Sequence, residues 1–72
     1  MAKYTAVFEQ ADDGTWGGYF PDLSGLLVNG ITLEEVRENA RTGLDFWMES
    51  MKEEGLPIPA PSTLAGEFEV AA

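Results

Sequence analysis

Three carboxylates, Glu9, Asp22 and Asp45, form the one plausible acid cluster in this sequence, which contains no histidine and no cysteine to serve as base or nucleophile. Converging acids can hold two divalent cations and activate water, so a degenerate metal-dependent nuclease is the enzymatic alternative. Simpler duties compete for the same side chains. Asp22 follows Pro21 as a turn residue, and Asp45 falls beside an apolar helical stripe, facing solvent. Asp12-Asp13-Gly14 resembles a piece of a calcium loop, but the other ligand positions are missing and a hairpin turn accounts for it better. Zinc normally draws on Cys and His, which are absent. The expectation is a chain with no catalytic residue, no bound metal and no cofactor.

Charge points to binding instead. The sequence carries 13 acidic residues against 4 basic ones, a formal net charge of -9. Such a field repels phosphate backbones, which disfavours direct nucleic-acid binding, and it speeds encounter with a basic protein surface. Asp12, Asp13, Asp22, Glu49, Glu53 and Glu54 are the acids offered to such a partner, and Trp16, an aromatic beside a turn, is a further candidate contact. Neither an N-terminal apolar run nor a stretch near the roughly 20 apolar residues of a membrane span occurs, so no membrane partner and a cytoplasmic location are expected.

These side chains need a scaffold, and 72 residues allow one domain, residues 1–72. A core of this size supplies roughly 3 to 5 kcal/mol. With no disulfide available, self-association as a homo-dimer or tetramer is the expected support. Residues 3–10 read as a strand with Tyr4, Ala6 and Phe8 on one face and Thr5, Val7 and Glu9 on the other. The Asp-Asp-Gly turn returns the chain as a second strand over residues 15–20, in which Gly17 and Gly18 mark a bulge or close approach. Leu26-Leu27-Val28-Asn29 fits a third strand buried on both faces.

Thr32-Leu33-Glu34-Glu35 is a capping box that opens a helix. Leu33, Val36, Ala40, Leu44, Trp47, Met48 and Met51 form its apolar stripe, and Gly55 followed by Pro57 ends it. Phe46 lies off that stripe, exposed in a monomer and suited to anchor an interface. Leu56 to Pro61 is an extended proline-rich segment, and Glu67-Phe68-Glu69-Val70 alternates as a last strand does, pairing with this sheet's edge or with another subunit. Thr5, Val7, Phe46, Phe68 and Val70 are the expected oligomer contacts. The fold class is α+β: a three-stranded antiparallel sheet packed by one helix, plus a C-terminal strand, in the order βββαβ.

TAVFEQADDGTWGGYFPDLSG, then NGITLEEVRENA, then GLPIPAPS together resemble the HicB-like antitoxin domain, in the family's order and over nearly the whole chain. The most specific stretches are residues 19–25, 30–35 and 57–62. That resemblance implies a fold like a reduced RNase H core. It also implies a partner of the HicA type, a small basic toxin that cuts messenger RNA with a histidine, whose RNA-contacting face the antitoxin hides. The alternative is a stand-alone structural homo-oligomer without a toxin. Ser24 and Leu26 stand where many relatives read proline and cysteine. The C-terminal DNA-binding segment of many HicB antitoxins is not represented, so operator binding by these residues is not expected.

Overall fold

The computed structural model describes residues 2–71. β1 (Val7–Gln10), β2 (Trp16–Tyr19) and β3 (Leu27–Gly30) form an antiparallel sheet in the order β1-β2-β3, and α1 (Leu33–Glu54) lies across one of its faces. Val7 pairs with Tyr19 and Tyr19 with Leu27; one residue on, Phe8 pairs with Gly18 and Gly18 with Val28. Because side chains alternate across a strand, Phe8 and Val28 face the helix, while Val7, Tyr19 and Leu27 make a row on the opposite face. Gly18 sits between Phe8 and Val28 because a Cβ there would come within 2.8 Å of the Phe8 ring.

Phe20, Leu23, Leu26, Val28, Val36 and Ala40 form the buried core, with Tyr4, Ala6, Phe8, Trp16, Leu44, Trp47 and Met48 packed around it. Three of the six, Phe20, Leu23 and Leu26, come from the turns between β2 and β3, so this loop is as much a part of the core as the sheet. Leu26 is buried in this loop, and the Ser24 carbonyl accepts from the Trp47 indole at 3.3 Å. At Gly30 an added Cβ would lie 2.5 Å from the Val36 amide nitrogen. Only glycine lets the first turn of α1 approach β3 this closely.

The helix ends follow from local chemistry. Thr32 is extended and its hydroxyl accepts from the Glu35 amide at 3.1 Å. The Glu35 carboxylate reaches back one residue further than expected, accepting from the Ile31 amide at 2.8 Å rather than from Thr32. At the other end Gly55 takes φ 66°, and the Gly55 and Leu56 amides donate to Lys52 and Met51 carbonyls. This is the left-handed cap that the Gly55 to Pro57 spacing predicts.

The structure corrects four expectations. β1 begins at Val7, although Tyr4 and Ala6 keep their core-facing side. Leu27 is 74% exposed, so β3 is buried on one face only, because nothing among the described residues covers the other. Leu33, at the start of the helix, is likewise exposed, lying past the end of the sheet that would cover it. Residues 67–70 form no strand: the chain leaves α1, is tied down at residues 59–63, and runs on without reaching a sheet edge.

Candidate protein-binding surface

Asp22 is the most heavily engaged carboxylate in the described structure. Its Oδ2 accepts from the backbone amides of Ser62 at 2.8 Å and Thr63 at 3.0 Å, and its Oδ1 from the hydroxyls of Ser62 at 2.9 Å and Thr63 at 2.7 Å. An ionised carboxylate offers about four lone-pair positions, and all are matched by donors from forty residues along the chain. The Ser62 amide foremost, then the Thr63 hydroxyl and the Thr63 amide, hold the Asp22 carboxyl at about 2, against an ordinary 3.8, with partial burial opposing them. The sequence places Asp22 both in a metal cluster and at a partner contact. The structure instead uses it as a clamp on the segment after α1, aided by the Tyr4 hydroxyl donating to the Pro59 carbonyl at 2.6 Å and the Thr5 hydroxyl to the Thr63 carbonyl at 3.0 Å. The hydroxyl of Thr5, a residue expected at an oligomer interface, is thus engaged within its own chain.

Glu9 and Asp45 do not join Asp22. Glu9 is exposed near the end of β1, and Asp45 pairs with Arg41 one helical turn away at 2.7 Å. Among the described residues no three acids converge on a point where a cation could sit. The carboxylate cluster weighed from sequence is thus not assembled, because the three acids belong to different elements facing different ways.

At the hairpin, Asp13 folds onto its own turn: Oδ1 accepts from the Thr15 hydroxyl at 2.6 Å and the Thr15 amide at 3.0 Å, and these bonds lower its pKa. Gly14 supplies the positive φ of 91° that closes the turn. Asp12 stays free and exposed. Trp16 is half-buried against the core and walls a shallow hollow with Thr15, Asn29, Gly30, Ile31 and Glu35, so its ring combines core packing with an accessible edge.

The outward face of α1 is the side that gathers predicted contacts together. Phe46 is 74% exposed. Residues three and four apart are neighbours on a helix, which sets Phe46 beside Thr42 and Glu49, and Glu49 beside Glu53; all four are exposed. Of the helix cations, Arg37 and Arg41 fall on other stripes by the 100° spacing, while Lys52 stands one turn beyond Glu49 and is no neighbour of Phe46. The result is an aromatic with acids on its C-terminal side and no basic neighbour of its own. A second apolar patch is the row Val7, Tyr19 and Leu27 on the uncovered sheet face.

An exposed aromatic beside acids is suited to contact with a protein. A family model described as HicB_like antitoxin of bacterial toxin-antitoxin system matches residues 4–70. The chain belongs to this HicB-like antitoxin family. Antitoxin HicB 2 of Photorhabdus laumondii is 36% identical over 70 residues, covering 92% of this chain and 47% of that protein. A UPF0150 protein of Synechocystis is 32% identical over 57 residues, 79% of this chain and 72% of that protein. The chain spans about half the length of the Photorhabdus antitoxin. Within the HicB-like match fall both the Asp22 clamp and the segment it holds, residues 57–63. No helix among the described residues is long and apolar enough to cross a membrane.

The clamp is what sequence reasoning missed. Its signal was present as Pro21-Asp22 and Ser62-Thr63, a carboxylate and a pair of adjacent hydroxyl residues, but nothing local links positions forty apart.

Proposed function

We propose that this HicB-like chain is an antitoxin module that neutralises a small basic toxin of the HicA type, which cleaves messenger RNA, by covering the toxin's RNA-binding surface. The observation that carries the reading is the outward stripe of α1, where Phe46 stands among acids with no cation beside it. A surface built to hold phosphate is basic, so it is drawn to clustered carboxylates, while a desolvated aromatic supplies the anchoring energy. Glu49 and Glu53 are the nearest acids, and Asp12, free at the hairpin tip, adds to the field from the sheet side. The module acts in the cytoplasm, where messenger RNA is cut, makes no direct contact with nucleic acid, catalyses nothing, and self-associates as a dimer or tetramer.

The test is inhibition of RNA cleavage by a purified HicA-type toxin titrated with the chain. The unaltered chain is expected to abolish cleavage near equimolar ratio at low salt and to do so less well as salt rises. Phe46→Ala is expected to weaken inhibition by roughly thirtyfold, as removal of a central aromatic anchor does, and Glu49→Lys with Glu53→Lys by at least about tenfold with slower association. Inhibition that ignores both changes and salt would remove α1 from the contact. Failure of the unaltered chain to inhibit such toxins would leave the stand-alone homo-oligomer as the reading.

A further inference from the structure

A chain of 72 residues that packs fully has a radius of gyration of about 11 Å, whereas this one reaches 14.0 Å and measures 49 Å along its longest axis. The excess is the segment beyond the Asp22 clamp. There Phe68 is 92% exposed and Val70 84%, on one side of an extended stretch whose other side is Glu67 and Glu69. Two large apolar side chains at period two are patterned for one face of a sheet, and among the described residues they meet none.

The sheet has a matching gap. β1 is an edge strand, and among the described residues no hydrogen bond reaches the outward backbone groups of Val7 to Glu9. The opposite edge is partly closed, since the Asn39 side chain donates to the Asn29 carbonyl of β3 at 2.7 Å. α1 lies over β3 and β2, which leaves Tyr4, Ala6 and Phe8 only half-buried at the margin of the core. An added strand outside β1 would satisfy its backbone and carry two apolar side chains over that margin. Unpaired strand edges are ready templates for this kind of addition.

We propose that residues 67–70 are a donor strand that pairs with the β1 edge of a second copy, with Phe68 and Val70 extending the apolar layer beside Phe8 and Ala6. This rests on the self-association reading above and gives it a structural basis. The exchange is reciprocal, so two copies close a two-fold dimer in which each contributes a fourth strand to the other. Asp22 has a defined place in it: by fixing residues 62 and 63 beside Thr5, it sets the point from which the donor strand departs.

Light scattering on the full chain at micromolar concentration, with amide hydrogen exchange across β1, tests the proposal. The expected mass is twice the 7.8 kDa of one chain, or an even multiple of it, with slowed exchange at β1. Phe68→Asp combined with Val70→Asp is expected to halve the mass of the dimer and speed β1 exchange while leaving the helical circular dichroism unchanged; a chain ending at Gly66 is expected to match it. These side chains are outside the core, so the double variant reports on assembly even if the shortened chain fails to fold. A full-length monomer overturns self-association and strand exchange together. A dimer that survives the double variant overturns strand exchange and leaves self-association standing.

Discussion

Replacing Leu23 by alanine is expected to cost about 3 to 5 kcal/mol, as emptying a well-packed leucine site does, and to leave most of the chain unfolded at room temperature. Leu23 is 2% exposed, one of the two largest fully buried side chains together with Val36. It holds the turn between β2 and β3 against α1, its amide donating to the Phe20 carbonyl at 3.0 Å while its own carbonyl accepts from Leu26. A core of this size supplies roughly as much as the substitution removes, so the loss is not absorbed elsewhere. Urea titration followed by circular dichroism measures it. Leu27→Ala, at a 74% exposed neighbour, is the control and is expected to change stability by no more than about 0.5 kcal/mol. Equal stability of the two variants would show that the loop does not belong to the core.

Much of this architecture can be read from residue spacing because it depends on neighbours. The hairpin follows from Asp13 and Gly14, whose turn closes within five residues. The helix follows from Thr32, Glu35 and Gly55, each acting within a turn of itself. Phe46 was placed correctly as an exposed residue by the same 3.6-residue arithmetic. The errors arise where the outcome depends on what covers an element. Leu26-Leu27-Val28 reads as doubly buried, yet a single helix covers a single face, and Leu27 is left outside. The alternation of residues 67–70 is a strand pattern without a strand, since pattern specifies which face is apolar and says nothing about where the partner edge lies. Residue patterning gives the order βββαβ, and among the described residues the chain realises βββα within itself.

Asp22→Asn is expected to free the segment after α1 without unfolding the domain. The substitution keeps the shape of the side chain but removes its charge: the carbonyl oxygen faces the Ser62 and Thr63 amides, and the NH2 group donates to the two hydroxyl oxygens. Four bonds to an ionised carboxylate become bonds to a neutral amide, which are roughly half as strong. Limited proteolysis between residues 57 and 66 reads the release directly, because cleavage follows the population of the opened segment; an increase of at least roughly tenfold is expected, with the urea midpoint of the core little changed. Protonation should reproduce the variant. The carboxyl is held at about 2 in the folded chain against 3.8 ordinarily, so folding favours its ionised form. Its contribution is complete above pH 3.8 and falls away as pH drops toward 2. Segment release in the unaltered chain should therefore appear only in strong acid, whereas Asp22→Asn should show it at neutral pH and add nothing further on acidification through that window. If the strand exchanged between copies departs from this clamp, the same variant should also weaken the dimer, since a donor strand that is no longer aimed must be ordered at each association. Proteolysis unchanged at neutral pH would mean that Tyr4 and Thr5 hold the segment by themselves.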